Sequence, residues 1–164
     1  MSKTLADAIS TLGTRLQAGG LRLCTAESCT GGGMAQAVTG IPGSSAWFEC
    51  GWVTYSNDSK TRLLGVAPEL IERRGAVSEA VAAAMARGAL EYSAADLSIA
   101  VTGIAGPGGG TPAKPVGLVW FAWAQREGPC RTGHQVFSGD RTQVRQAAVL
   151  WGLEGLLENE LAPG

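Results

Sequence analysis

The sequence has almost no histidine, and the scarcity of metal-binding patterns excludes several classes of enzyme. Its 164 residues include one histidine, His134, and four cysteines without any CxxC spacing. We therefore expect neither a metal site nor a disulfide framework. A Ser-His-Asp hydrolase would have to use His134, which lies on a predicted strand far in sequence from the candidate loops. A serine hydrolase with this composition is better served by a lysine base.

Charge and long apolar runs are also scarce. Charged residues make up 16% of the chain, the formal net charge is −1, and no basic block appears. This composition argues against a surface for nucleic acid. No apolar run reaches the about 18 residues that a membrane span needs, and the first 16 residues are amphipathic, unlike a signal peptide. We expect a cytoplasmic protein without a nucleic-acid or membrane partner.

Hydrophobic residues are abundant and arranged periodically. They form 45% of the sequence, enough for one domain, 1–164, with a sizeable core. Alternation and short apolar runs predict strands, at 21–25, 48–55, 97–101, 116–124 and 133–137. Helical periodicity predicts helices, at 5–19, 31–38, 57–64, 68–73, 80–92 and from 140 to at least Leu161. This order predicts an α/β fold, a three-layer α/β/α domain around a mixed sheet.

The segment 25–33, Thr-Ala-Glu-Ser-Cys-Thr-Gly-Gly-Gly, joins a predicted strand to a predicted helix. Free N–H groups at a helix start stabilise negative charge. A hydroxyl nucleophile there, Ser28, could therefore attack a carbonyl whose oxyanion is stabilised nearby. Cys29 is the neighbouring alternative nucleophile. The alternative is a purely structural role, in which the segment is a capped helix start with glycines for close packing.

A second glycine-rich loop, 102–110, also follows a predicted strand. It resembles a phosphate-binding nest, but it lacks the Lys-Ser/Thr pair of a P-loop and is followed by coil with two prolines. A long surface loop is the alternative. Because ligands bind beyond the carboxyl ends of strands in such sheets, we expect the two glycine-rich loops to lie side by side there.

Three further side chains have the right chemistry for such a site. Lys60 follows a cluster of polar residues, and a desolvated lysine can take a proton from a serine. Arg141, at the start of the last helix, could clamp a phosphate or a carboxylate, and Tyr55 could stack on a flat ring. If there is no such site, Lys60 is a solvated helix lysine, Arg141 is a surface arginine and Tyr55 is a core aromatic.

Taken together, six motifs in order resemble the CinA C-terminal domain family. They are AESCTGG at 26–32, GSSAWF at 43–48, VTYSN at 53–57 with Lys60, GAVSE at 75–79, TGIAGP at 102–107 with KPVG at 114–117, and FSGDR at 137–141. The resemblance covers nearly the whole chain. It implies a stand-alone member, without the larger N-terminal domain that some relatives carry.

The resemblance implies a nicotinamide-nucleotide amidase. Such an enzyme hydrolyses the carboxamide of nicotinamide mononucleotide to nicotinate mononucleotide and ammonia, in pyridine nucleotide salvage, and needs no metal or organic cofactor. Ser28 matches the nucleophile of the family and Lys60 its lysine partner. Thr102 matches a hydroxyl residue of the same site, and we expect it to relay the proton between them.

Substrate contacts are implied for six residues of the motifs. Three match positions associated with the pocket, and three belong to the loops that would hold the oxyanion or the phosphate: Ser45, Tyr55 and Arg141, then Thr30, Gly31 and Gly103. Trp47 and Trp52, expected to be exposed, indicate either a pocket or the face of a homo-oligomer, for which a dimer is favoured.

Three alternatives compete with the serine amidase. A non-catalytic nucleotide-binding module would keep the glycine-rich loops and Arg141 without needing Ser28 and Lys60 together. A cysteine amidase would use Cys29. A regulatory role in competence or DNA damage is suggested only by the historical name of the family.

Overall fold

A computed structural model describes residues 4–158, which form five strands, six α-helices and a short 3-10 helix at Ser44–Ala46. The strands are β1 (Leu23–Glu27), β2 (Phe48–Val53), β3 (Leu97–Gly103), β4 (Leu118–Gln125) and β5 (Cys130–Val136). The helices are α1 (Leu5–Gly19), α2 (Gly33–Thr39), α3 (Asn57–Leu64), α4 (Pro68–Arg74), α5 (Glu79–Glu91) and α6 (Arg141–Glu158). Leu161, placed on the last helix by the sequence pattern, lies outside the described residues. Within 4–158, no helix is long and apolar enough to cross a bilayer.

The strands form one mixed sheet in the order β2-β1-β3-β4-β5. β2, β1 and β3 are parallel, while β4 and β5 return antiparallel. The chain leaves β1 for β2 on one side and later returns to pair β3 on the other side. This reversal opens a crevice at the carboxyl ends of β1 and β3, where open α/β sheets bind ligands.

Helices cover both faces of the sheet, so the predicted three-layer α/β/α fold is confirmed. Side chains of α1, α2 and α6 build one apolar cluster with the first face, around Leu12, Met34 and Leu153. Leu64 of α3 and Met85 of α5 belong to the cluster on the other face. Because helices cover both faces of the sheet, β1 and β3 are buried almost throughout.

Local capping fixes where several helices begin and end. The side chain of Ser56 accepts a hydrogen bond from the N–H of Ser59 and starts α3, and that of Ser78 accepts from Val81 and starts α5. Gly65 ends α3 with a φ of 70°, a left-handed conformation that favours glycine. These boundaries agree with the sequence patterns.

Several predicted boundaries are wrong by two or three residues. α2 begins at Gly33 rather than at residue 31, because Gly31 and Gly32 adopt left-handed φ values of 59° and 97°. β4 begins at Leu118 because Gly117, at φ 94°, turns the chain there. Trp47 is not exposed: it is 3% accessible and packs against Gly13 of α1.

Gly88 lets α5 approach α3 closely, and its replacement tests this contact. A Cβ at Gly88 would lie 1.9 Å from the carbonyl oxygen of Leu64, a backbone atom that cannot rotate away. We expect Gly88→Ala to lower the free energy of unfolding by about 1–3 kcal/mol, although alanine is the better helix former. Denaturant titration measures this.

Gly108→Ala is the matched control, because nothing lies within 4 Å of a Cβ at Gly108. Its free energy of unfolding is expected to stay close to that of the wild type. Equal stability of the two variants would contradict the packing argument.

Candidate active site

Ser28 lies directly after β1 in a tight turn, residues 28–32, which we call the Ser28 turn. Its N–H donates to the carbonyl of Val101 on β3 at 3.0 Å, and its own carbonyl accepts from the N–H of Gly31 at 3.1 Å. The first bond fastens the turn to the neighbouring strand. The hydroxyl is therefore held at the crevice between β1 and β3, as the sequence predicts.

Glu27, the last residue of β1, fastens the other side of the Ser28 turn. Its buried carboxylate accepts from the hydroxyl of Thr30 at 2.6 Å and from the N–H groups of Met34 and Ala35 at 2.7 and 3.1 Å. It thus caps α2, whose own N-cap residue, Gly32, has no side chain to do so. The N–H groups of Met34 and Ala35 are therefore not available to an oxyanion beside Ser28.

Other N–H groups beside Ser28 remain free. Within residues 4–158, the N–H groups of Cys29 and Thr30 donate to no oxygen atom, although Thr30 is only 1% exposed. Buried N–H groups without a partner are rare in folded proteins. Donors in this position suit an oxygen supplied by a ligand.

Lys60 brings a buried amine to the Ser28 hydroxyl. It lies on the inner side of α3 and is 1% exposed. Its Nζ donates to Ser28 Oγ at 3.0 Å and to the carbonyl oxygens of Thr54 and Tyr55 at 2.9 and 3.1 Å. The contact is direct, so no relay between the two side chains is required.

Burial lowers the pKa of Lys60 below the ordinary value for lysine, because desolvation penalises the ammonium form. A smaller effect of the nearby Cys29 thiol acts in the opposite direction. Within the described part of the chain, no carboxylate forms an ion pair with Lys60. The amine is therefore neutral at a lower pH than an exposed lysine, and a neutral amine can accept a proton from a serine.

Cys29 is poorly suited to be the nucleophile. Its thiol is buried, and burial raises its pKa to about 12. The nucleophilic form of cysteine is the thiolate, which this environment disfavours. The alternative of a cysteine amidase therefore loses support.

Thr102 and Gly103 lie at the end of β3, on the opposite wall of the crevice. Thr102 is buried, and its hydroxyl donates to the carbonyl of Ala76 at 2.9 Å. In this arrangement the hydroxyl proton points to Ala76, and the role of Thr102 as a proton relay stays a prediction. The oxygen of Thr102 still lines the cavity and can accept a hydrogen bond.

Arg141 and Tyr55 form the outer rim. Arg141, the first residue of α6, donates to the carbonyl of Gly106 at 2.8 Å and to the hydroxyl of Tyr55 at 3.1 Å. Both side chains are exposed. A guanidinium with solvent access at the mouth of a cavity can bind an anionic group.

Six of the predicted site residues meet at one cavity of about 230 Å³: Ser28, Tyr55, Lys60, Thr102, Gly103 and Arg141. The lining residues are Ser28, Cys29, Tyr55, Asn57, Lys60, Ala76, Val77, Thr102, Gly103, Ala105 and Arg141. Within residues 4–158, no three His, Cys, Asp or Glu side chains are close enough to hold a metal ion. The cavity thus combines a hydroxyl, a buried amine and free backbone donors.

Within the chain, Gly31 and the side chains of Ser45 and Thr30 do not line this cavity. Ser45 lies at the amino end of β1, where its carbonyl contacts Arg22, so the sheet separates it from Ser28. The side chain of Thr30 turns back to Glu27. Gly31 packs against Arg145, whose guanidinium lies 3.1 Å from where a Cβ would be.

Sequence reasoning missed two charged residues that hold the Ser28 turn. Glu27 was part of the motif but had no assigned role, because its partners come up to eight residues later. Arg145 donates to the carbonyls of Cys29 and Thr30 at 3.1 and 3.3 Å. Its spacing from Arg141 was the available signal, since residues four apart lie on one side of a helix.

Comparison with known proteins agrees with this architecture. The family model of the CinA C-terminal domain matches residues 5–160. A CinA-like protein of Akkermansia muciniphila is 54% identical over 138 residues, which cover 84% of this chain but 33% of that protein. The nicotinamide-nucleotide amidohydrolase PncC of Pseudomonas putida is 53% identical over 156 residues, covering 93% of this chain and 97% of that protein.

A solved structure has the same fold. The crystal structure of the competence/damage inducible protein CihA from Agrobacterium tumefaciens matches with a TM-score of 0.92 and 44% identity, over 96% of this chain and 98% of that one. The fold, the ordered motifs and the extent of these matches agree, and the chain belongs to the CinA C-terminal domain family.

Proposed function

We propose that this protein hydrolyses the carboxamide of nicotinamide mononucleotide, releasing ammonia and nicotinate mononucleotide, with Ser28 as nucleophile and Lys60 as base. The observation that carries the proposal is the direct contact of 3.0 Å between Lys60 Nζ and Ser28 Oγ at the end of a cavity. The name of the Pseudomonas putida relative supports the substrate.

The reaction begins with a proton transfer. Neutral Lys60 accepts the hydroxyl proton of Ser28 while Ser28 Oγ attacks the carboxamide carbon. The carbonyl oxygen becomes an oxyanion, which accepts hydrogen bonds from the free N–H groups of Cys29 and Thr30 or from the Gly103 loop. Donors fixed before the reaction need no rearrangement when this charge develops.

The remaining steps return the enzyme to its starting state. Protonated Lys60 gives its proton to the amide nitrogen, the C–N bond breaks and ammonia leaves, which forms an ester with Ser28. Lys60, which is neutral again, accepts a proton from a water molecule while the oxygen of that water attacks the ester carbon. Ser28 regains a proton from Lys60, and the product carboxylate departs.

Binding of the nucleotide uses the rim. The pyridinium ring enters the cavity beside Tyr55, and the 5′-phosphate stays at the mouth against Arg141. Thr30 and Gly31 support the turn that holds the donors. Ser45 lies at the other end of β1, so a contact with substrate would need a second copy of the chain; the predicted homo-oligomer, with a dimer favoured, stays a prediction.

Removing either partner of the Ser–Lys pair is expected to abolish turnover. Ser28→Ala eliminates the attacking oxygen and Lys60→Met the base, so we expect kcat to fall by at least about 10³-fold in each. Release of ammonia, with a product one dalton heavier, measures the reaction.

Lys114→Met is the matched control, because this lysine does not line the cavity of Ser28 and its amine donates to the carbonyl of Arg74. It is expected to retain wild-type kcat. Substantial turnover by Ser28→Ala would move the nucleophile to Cys29. A wild type that binds the nucleotide without turnover would leave a binding module.

Activity should rise with pH because only neutral Lys60 accepts the Ser28 proton. Burial lowers the pKa of Lys60, so kcat/KM is expected to increase through a single ionisation whose midpoint lies below the ordinary value for lysine. A pH series of initial rates measures the midpoint. A midpoint at or above the ordinary value would contradict a desolvated base.

Arg141→Ala tests the phosphate contact. Loss of a charged hydrogen bond costs about 1.5–3 kcal/mol, so we expect KM for nicotinamide mononucleotide to rise by about 10- to 100-fold. Nicotinamide riboside, which lacks the phosphate, is the matched substrate. An equal loss of kcat/KM for nucleotide and riboside would mean that Arg141 does not bind the phosphate.

A further inference from the structure

Arg145 approaches the Ser28 turn from the side opposite the proposed substrate. It lies on α6 one turn after Arg141 and is half-buried. Its Nε and Nη2 donate to the carbonyl oxygens of Cys29 and Thr30 at 3.1 and 3.3 Å. In the part of the chain that the structure describes, no carboxylate pairs with it. Its charge is therefore directed at two peptide carbonyls.

Those carbonyls belong to the same peptide units as two N–H groups of the turn. The carbonyl of Cys29 and the N–H of Thr30 form one planar unit, and in a trans peptide they point in opposite directions. The N–H of Thr30 therefore points away from Arg145. It is also one of the two donors of the turn that find no oxygen within residues 4–158.

Thr30 is held from two sides, which fixes the direction of this N–H. Arg145 donates to the carbonyls of Thr30 and Cys29, while the Thr30 hydroxyl donates to the buried carboxylate of Glu27. A hydrogen bond to a carbonyl polarises the peptide unit and makes its N–H a stronger donor. A positive charge behind the unit acts in the same direction.

We infer that Arg145 is a positioning residue, which orients and polarises the Cys29–Thr30 peptide so that the N–H of Thr30 stabilises the oxyanion formed when Ser28 attacks. The inference rests on the proposed function. Arg145 does not line the cavity of Ser28. It lines a separate cleft of about 360 Å³ between α2 and α6, so its effect on the reaction passes through the turn.

The test separates kcat from KM in Arg145→Ala. Removing an oxyanion donor outright costs about 10²–10³-fold in kcat. Loss of its support should cost less, on the order of 10- to 100-fold, with KM for nicotinamide mononucleotide unchanged. The midpoint of the pH profile should also stay unchanged, because burial rather than Arg145 sets the pKa of Lys60.

The cleft allows chemical rescue. Added guanidinium chloride, at concentrations well below those that unfold proteins, can enter the space vacated in Arg145→Ala and is expected to restore part of kcat. Arg145→Lys keeps one donor and should lose less than the alanine variant. Arg87→Ala is the matched control, since Arg87 also donates to two turn carbonyls, those of Gln125 and Gly128, far from Ser28.

The outcomes distinguish this inference from the proposed function. If the wild type releases no ammonia, the proposed function fails and the inference with it. If the wild type turns over and Arg145→Ala keeps its kcat, or loses it no more than Arg87→Ala, the inference alone is overturned. Should Arg145→Ala fail to fold, Arg145→Lys decides: a lower kcat at constant KM supports the inference, and an unchanged kcat overturns it.

Discussion

The buried amine of Lys60 is the constraint on which the site depends. A lysine taken out of water without a carboxylate partner is costly when charged, so the fold has to supply acceptors and favour the neutral form. Two peptide carbonyls and the Ser28 hydroxyl are those acceptors. Because the hydroxyl is one of the three acceptors that the amine has within residues 4–158, the arrangement that accommodates the lysine also aligns it with the serine. Any change that admits water to α3 would therefore weaken both the preference of Lys60 for its neutral form and its alignment with Ser28.

Three contacts from three different elements fix the Ser28 turn. The carbonyl of Val101 on β3 accepts from the first N–H of the turn, and the carboxylate of Glu27 on β1 accepts from the Thr30 hydroxyl. Arg145 on α6 donates to two carbonyls of the turn. One anion therefore satisfies donors and one cation satisfies acceptors, so the turn has few polar groups left over. The N–H groups of Cys29 and Thr30 donate to no oxygen atom within residues 4–158. A turn built in this way is rigid without using a long run of regular structure.

Local chemistry made much of the fold predictable, whereas the contacts within the site depend on distant elements. Helix ends can be recognised from single residues: Ser56 and Ser78 cap helix starts with their side chains, and Gly65 ends a helix because it has none. The two glycine-rich loops can be placed at strand ends because each follows a short apolar run. The sequence does not reveal that Glu27 caps a helix beginning six residues later, since known capping patterns span three residues. Nor does it reveal that the sheet separates Ser45 from the cavity. Motif matching assigns Ser45 and Ser28 to one site, because it does not consider at which end of a strand each residue lies.

The rim and the Ser–Lys pair meet at Tyr55, whose carbonyl accepts from the Lys60 amine and whose hydroxyl accepts from Arg141. Arg141 contacts the Gly106 loop and the side chain of Tyr55, and none of these bonds involves the Ser28 hydroxyl or the Lys60 amine. A displacement of Tyr55 would therefore reach both the rim and the Lys60 amine, so the part of the site that faces solvent and the buried base are mechanically coupled through one residue.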